Sequence, residues 1–335
     1  MPIQTEKPTL PLHLTSRDRE LLKCVFDFRI LTADLIQQLI PGSDQQILRR
    51  LQKLTAHRYL IRHQRSSAHL PYVYQLGQQA GRELTALYGI EPDRVKKRAQ
   101  KISADTVQHA LMISRVQFAA TCAAAEWPDV ELVDCVIEDE LPYRSVAYQD
   151  GARTVKASFK HDILFILKHQ GRSMTLPTEA DRSTERGKVV ESKIKAYHHF
   201  WLQEREKARR GEQAFFPFRV LWTTRSRERL ENIRRHSLAL NNSKGTGLHW
   251  FTCEAEYADP QRFFEPIWYT GRTGDQELHS LLESRRDRGK NRSSVCTISK
   301  DRQQSAAAEY TDTSGHIRRE EPIPSQHGPN PTSRK

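Results

Sequence analysis

Cysteine is scarce and unpaired. Five residues, Cys24, Cys122, Cys135, Cys253 and Cys296, are scattered singly through 335 positions, and no two form a CxxC pair. That spacing excludes a zinc ribbon and a disulfide framework, and it fits a reducing compartment. No stretch approaches the ~18 apolar residues that a membrane span needs. The opening MPIQTEKPTLPLHLTSRDRE has no apolar core of signal-peptide length. A soluble, cytoplasmic protein without a membrane partner is therefore expected. There is no Gly-rich phosphate loop, no GxSxG and no HExxH, so ATP use by the common route is not expected. No internal repeat is visible.

Positive charge is plentiful. The chain carries a net charge of +12. Its first hundred residues hold 16 Lys and Arg against 9 Asp and Glu. Such a surplus favours a polyanionic partner and says nothing about the fold.

Apolar residues recur with helical spacing from residue 15 onward. In TSRDRELLKCVFDFRI, Thr15 or Ser16 caps a helix, Asp18 and Glu20 suit its first turn, and Leu21, Leu22, Val25 and Phe26 form one stripe. LTADLIQQLI repeats the device with Thr32 as cap. PGSD breaks the chain, and Ser43 caps a third helix in which Ile47, Leu48, Leu51 and Leu54 face inward. Gln45, Gln46, Arg49, Arg50 and Lys53 lie away from that core. The alternating runs YLIRHQ and YVYQL then read as a hairpin, and GQQAGRELTALYG as a closing helix.

Three helices followed by a hairpin is a winged helix-turn-helix pattern, whose third helix enters the major groove. Gln and Arg suit base edges, which makes Gln45, Gln46, Arg49, Arg50 and Lys53 the candidate DNA-contacting residues. Arg62, Arg65 and His69, in or near the wing, are placed to touch phosphates.

The divisions expected are a flexible N-terminus at 1–13, the winged helix at 14–90 and a basic linker at 91–103. An α/β domain at 104–270 and a disordered tail at 271–335 complete the chain, the tail being too polar to offset its chain entropy. The α/β domain opens on a long amphipathic helix, ADTVQHALMISRVQFAATCAAAEW. VELVDCVIEDEL, ASFKHDILFILKH and RSMTLPTEAD follow as three strands, then a helix from about 187 to 209, the strand FPFRVLWTTRS, a helix near 226–240 and a short strand at LHWFTC.

Acids collect in this second region. Asp162 precedes the apolar run ILFILK, and Glu179 and Asp181 end the next strand. Lys193 and Tyr197 stand one turn apart on the following helix. Asp162 and Glu179 on neighbouring strands are candidate ligands for Mg²⁺ through hard oxygen atoms. Such an ion polarises a phosphodiester and activates water, with Lys193 stabilising the charge that develops. The arrangement is similar to the PD-(D/E)XK nuclease core, although Lys160-His161 precedes the Asp and an acid occupies the usual strand-lysine position. Pro177 suits a bulge or an edge strand. The competing reading is a helix-capping loop with solvated surface pairs. His109, on the long helix, is either a satisfied core histidine or an acid-base group of the acidic cluster.

Taken in order, LTSRDRELLKCVFDFRILTADLIQQLI, ILRRLQKLTAHRYLIR, YVYQLGQQAGREL, VQHALMISRVQFA, DILFIL, TEADRSTE, KIKAY and FRVLWTTRSRERLENI resemble the replication-relaxation family of bacterial plasmids and other mobile elements. The resemblance spans roughly residues 14–252. His109 falls on that family's helix His, Asp162 on its Asp, Glu179, Asp181 and Arg182 on its Glu-x-Asp element, and Lys193 and Tyr197 on its helix Lys and Tyr. It implies a winged-helix DNA-binding protein linked to plasmid replication or DNA relaxation.

The fold class expected is thus α+β: a winged helix-turn-helix, a restriction-endonuclease-like mixed sheet and a tail. The catalytic candidates are Asp162, Glu179, Asp181, Lys193 and His109. The partners are double-stranded DNA and replication or mobilisation proteins, with a homodimer left open. Two activities also stay open: a Mg²⁺-dependent nickase-like endonuclease, and a non-catalytic transcriptional or replication regulator whose second domain mediates dimerisation or partner docking.

Overall fold

Thr15 starts the first helix as its sequence position suggests. In the computed structural model, which describes residues 12–64, 67, 69–183, 187–215 and 217–283, the Asp18 N–H donates to the Thr15 hydroxyl at 3.3 Å. The Thr15 N–H donates to the Asp18 carboxylate at 2.7 Å. This reciprocal cap satisfies two otherwise orphaned donors. Helix α1 (Ser16–Phe28) buries Leu21, Leu22, Val25 and Phe26. α2 (Ala33–Leu39) begins after Thr32, which ends a short strand, β1 (Ile30–Thr32), and whose side chain makes no capping bond. α3 (Asp44–Ala56) is capped by Ser43, which accepts from the Gln46 N–H.

β2 (Leu60–His63) and β3 (Val73–Leu76) form the expected antiparallel hairpin. β1 adds to its far side, giving the order β1-β3-β2. Gly77 follows β3, where a Cβ would lie 2.3 Å from the Arg58 carbonyl oxygen; only glycine allows that approach. α4 (Gly81–Tyr88) closes the unit.

Residues 91–103 are not the free basic linker that their composition suggests. Pro92 opens a helix, α5 (Pro92–Arg98), which buries Val95 and Arg98. Two cations of this run, Arg94 and Arg98, pair with acids of the second region, and Arg29, just after α1, pairs with a third acid beside them. Arg29 pairs with Glu138, Arg94 with Glu140 at 2.6 Å, and Arg98 with Asp139 at 3.2 Å and with Glu140 at 2.8 Å.

α6 (Ala104–Glu126) is apolar around most of its surface because it serves two cores. Val107, Ala110 and Leu111 pack with Ile30 and Val73, and Phe118 joins the core of the three N-terminal helices. Met112, Ile113, Val116, Ala119, Ala120 and Ala123 cover the sheet of the second region. A helix buried on both sides loses the polar face expected of an amphipathic one.

That sheet is mixed and six-stranded. It comprises β4 (Val130–Ile137), β7 (Ile163–His169), β8 (Arg172–Asp181), β9 (Val220–Thr224), β10 (Gly245–Cys253) and β11 (Tyr269–Arg272), in the order β11-β10-β9-β8-β7-β4. β8, β9 and β10 run parallel, and the outer neighbours pair antiparallel. α6 covers one face; α7 (Gly187–Arg209) and α8 (Arg227–Leu238) cover the other.

Several sequence expectations change here. The run ASFKHDILFILKH is broken after Phe159. Its first part belongs to a separate two-stranded ribbon, β5 (Arg144–Asp150) with β6 (Arg153–Phe159). Pro177 lies in the central strand β8, not at an edge. The carbonyls of Thr175 and Thr178 accept from Arg219 and Asp162, which are on opposite sides of β8. The missing Pro177 N–H therefore faces β9, whose ladder begins only at Thr178. The packed chain continues past residue 270: β11 pairs with β10, and Leu281 is fully buried. Residues 1–11 and 284–335, including most of the expected tail, lie outside the described residues. No helix of the described residues is long and apolar enough to cross a membrane.

Candidate functional site

β4 and β8 point the same way with β7 reversed between them, so the end of β4, the start of β7 and the end of β8 meet at one rim of the sheet. That rim collects Glu138, Asp162, Glu179 and Asp181. The Glu138 N–H donates to the Asp162 carbonyl at 2.8 Å, and the Ala180 N–H donates to Asp162 Oδ2 at 2.7 Å. From one face, α6 sets His109 Nε2 3.3 Å from Asp162 Oδ1. From the other, α7 directs Lys193 and Tyr197 onto Glu179. Lys193 Nζ lies 2.9 Å from Glu179 Oε2, and the Tyr197 hydroxyl donates to Oε1. His109, Asp162, Glu179, Asp181, Arg182 and Lys193 line a cavity of about 220 Å³ with Trp222 at its wall.

The electrostatics divide the two central acids. Burial opposes the charge on Asp162, but the His109 hydrogen bond and the charges of His109 and Lys193 outweigh it and hold its carboxyl below the ordinary range. Glu179, only 2% exposed, is pushed up to about 7 by burial and by the Asp162 charge, against the pull of Lys193 and Tyr197. Burial also disfavours charge on His109, yet its bond to Asp162 raises its pKa overall. Burial takes His161 down to about 4, so the ring is neutral. Its Nδ1 lies 2.7 Å from the Tyr197 oxygen. Because that hydroxyl donates to Glu179, the hydrogen between them belongs to Nδ1.

A stability signature follows. A raised carboxyl pKa stabilises the fold below the ordinary value of 4.5, and the effect is lost as pH rises through about 7. In metal-free protein, the wild-type unfolding midpoint should fall between about pH 5 and pH 8, and Glu179→Gln should flatten that fall by a few degrees. Parallel profiles in a thermal-unfolding series would remove Glu179 as the titrating group.

The donor set suits a divalent cation. One ring nitrogen of His109 and one oxygen each of Glu138 and Asp162 lie within 4.8 Å of one another. Ligands bound about 2.1 Å from one ion stand at most about 4.2 Å apart, and about 5 Å at calcium distances, so small side-chain adjustments bring the three onto one ion. One imidazole beside two carboxylates shifts the preference from Mg²⁺ toward a first-row ion such as Mn²⁺.

The structure therefore brings Asp162, Glu179, Lys193 and His109 together, with changed roles. Glu179, expected as a ligand beside Asp162, is committed to Lys193 and Tyr197. Asp181 accepts two bonds from Arg229, at 2.8 and 2.9 Å, and one from the Ser183 N–H, which leaves it a structural role. Tyr197 is fully buried with its hydroxyl engaged, so it positions Glu179 and is no exposed nucleophile. Glu138 was missed because its place opposite Asp162 depends on the β4–β7 register; its only sequence signal was an acid ending a strand.

On α3, Gln45, Gln46, Arg49 and Lys53 are exposed as expected. Arg50 is not free to meet DNA. Its Nε donates to Asp18 Oδ1 at 2.6 Å and its Nη2 to Oδ2, which ties α3 to the α1 cap. Arg62 is exposed and stands 4.5 Å over the Tyr72 ring. Arg65 lies outside the described residues. A larger, mainly apolar groove of about 1050 Å³ lies between Leu60, Gly81 and Val95, and none of these acids lines it.

A family model described as Replication-relaxation matches residues 22–214, more than half of the chain. The match runs from α1 through the acidic rim and all of α7. No curated protein matches, and no solved structure matches.

Proposed function

The chain belongs to the replication-relaxation family, and we propose that it binds the DNA of a plasmid or other mobile element and acts in its replication or relaxation, with a metal-dependent DNA-nicking site at the acidic rim. The observation that carries the nicking site is the convergence of His109, Glu138 and Asp162, two of which, His109 and Asp162, line the cavity that also holds Lys193. In this reading, the N-terminal helices and hairpin act as a winged helix. α3 offers Gln45, Gln46, Arg49 and Lys53 to the major groove, and Arg62 touches the backbone.

His109, Glu138 and Asp162 would hold the cation, which when bound supplies Lewis acidity to a phosphodiester oxygen and lowers the pKa of water. The remaining work falls to side chains of the chain. Asp162 is oriented by the Ala180 N–H, and His109 is held against it. Lys193, fixed by Glu179, keeps a positive charge at the cavity where phosphate charge increases. Tyr197 and His161 hold Glu179 in place.

One observation favours a second reading. Arg29 already pairs with Glu138, a geometry that serves a non-catalytic regulator whose second region docks partners. Supercoiled plasmid incubated with Mn²⁺ or Mg²⁺ separates the two. Nicked circles support the enzyme; retarded but intact plasmid supports the regulator.

The DNA contact has its own test. Arg49→Ala should weaken duplex binding and lower the slope of log affinity against log salt by about 0.9, the share of one phosphate contact. An unchanged slope in a fluorescence-anisotropy titration would remove α3 as the DNA-facing helix.

A further inference from the structure

The β5–β6 ribbon has no part in the site just described, and its two faces differ. The inner face is anchored. Val146, Tyr148 and Phe159 are buried with residues of α7, and the Tyr148 ring stacks on His199 with centroids 4.1 Å apart. Gln203 of α7 donates to the Ala147 carbonyl at 2.7 Å. The ribbon is thus held firmly by its back.

The outer face presents Ser145, Ala147 and Gln149 opposite Ser158, Lys156 and Thr154, all exposed. These side chains are small or hydrogen-bonding, and none is acidic. Each end carries an exposed arginine. Arg144 at the base and Arg153 beside the turn are both exposed, and among the described residues neither stands within ion-pair distance of an acid. Lys160 lies 4.8 Å over the ring of Tyr143, which is 72% exposed. The one acid of the ribbon, Asp150, is neutralised by Lys195 at 3.0 Å.

We propose that this ribbon is a second duplex-binding surface, its outward face seated in the major groove while Arg144 and Arg153 contact phosphates at its two ends. The inference rests on the DNA-binding reading given above and adds an interface in the second region. A major groove admits a two-stranded ribbon, and Ser, Thr, Gln and Lys are side chains that pair with base edges there. Strands of this length extend for about 23 Å at ~3.3 Å per residue, which matches about seven base pairs. Ser145, Ala147, Ser158 and Thr154 are small enough to let the ribbon backbone approach the bases, and Gln149 and Lys156 reach further. β6 ends three residues before Asp162, which ties the ribbon directly to the strand that carries the acidic rim.

The test uses the full chain and a fluorescently labelled 30-base-pair duplex, titrated at several salt concentrations. The variants are Lys156→Glu, the pair Arg144→Ala with Arg153→Ala, and Arg49→Ala as the α3 comparison. All four positions are exposed, and thermal unfolding checks that each variant folds. Lys156→Glu should weaken binding about tenfold or more. The paired variant should lower the salt slope by about 1.8, two phosphates at ~0.9 each. If wild type binds and Arg49→Ala weakens it, but the ribbon variants keep wild-type affinity and slope, the ribbon is an ordinary solvated surface and the proposal is overturned. If wild-type protein shows no salt-dependent duplex binding, the DNA-binding reading fails first and the ribbon proposal with it.

Discussion

Asp162→Asn should bind Mn²⁺ about 100-fold more weakly than wild type and leave supercoiled plasmid intact where wild type nicks it. Asp162 is the common member of the site. It accepts from the Ala180 N–H, faces His109, and lies within ligand distance of both Glu138 and His109. The Asn side chain keeps an oxygen for the Ala180 N–H but loses the negative charge that a hard cation needs. Altering even the outer partners of metal ligands commonly costs 10–100-fold, so losing a charged ligand should reach or pass the upper figure. Calorimetry with Mn²⁺ gives the affinity without reference to activity, and agarose gels give the nicking. Asp181→Asn is the contrast: because Arg229 holds that carboxylate, metal affinity should stay near wild type while stability falls. Undiminished Mn²⁺ binding in Asp162→Asn would sink the metal site.

Arg50→Ala should cost about 3 kcal/mol of stability, whereas Arg49→Ala one residue earlier should change it by no more than about 0.5 kcal/mol. The Asp18 side chain is wholly buried. Burial works against its charge, but Arg50 and Thr15 more than offset this and keep its carboxyl below the ordinary range. Removing Arg50 leaves a buried, half-satisfied acid at the start of α1. The loss is set at the lower end of the range for broken buried pairs because the Arg50 side chain stays 21% exposed. At ~2–4 °C per kcal/mol the midpoint should drop by roughly 6–12 °C. Equal midpoints for the two variants would show that the Arg50–Asp18 pair is not holding the N-terminal helices together. The comparison also warns against reading lost DNA binding in an Arg50 variant as a lost contact.

Those two arginines show where sequence reasoning stops. Adjacent positions on a helix point about 100° apart, so Arg49 and Arg50 were both placed on the outer face, and only the position of α1 separates them. Features written in neighbouring residues were legible. The caps at Thr15 and Ser43 involve bonds three residues away, and the apolar runs of β7 and β8 identify buried strands wherever they fall. Asp162, Glu179 and Lys193 were legible for the same reason, being tied to strand ends and a helix turn. Features that depend on distant chain were not. Glu138 becomes a candidate ligand only through the pairing Ile137↔Ile163. α5 looked like a linker because the acids that neutralise it lie some forty residues away. β5 and β6 bury only one face, and Ser, Ala, Thr and Lys on the other dilute their alternation below notice.

The double burial of α6 bears on how such a protein is inherited. Val107 and Leu111 are moulded to the N-terminal strands and Phe118 to the N-terminal helices, while Ile113 and Val116 on the same rod are moulded to the second region's sheet. Arg29, Arg94 and Arg98 are matched to Glu138, Asp139 and Glu140 across the same junction. Recombination could not trade the front half as a ready-made cassette. An incoming front half would need to arrive with its own side of α6 and a compatible set of arginines, or leave bare hydrocarbon and stranded carboxylates at the seam.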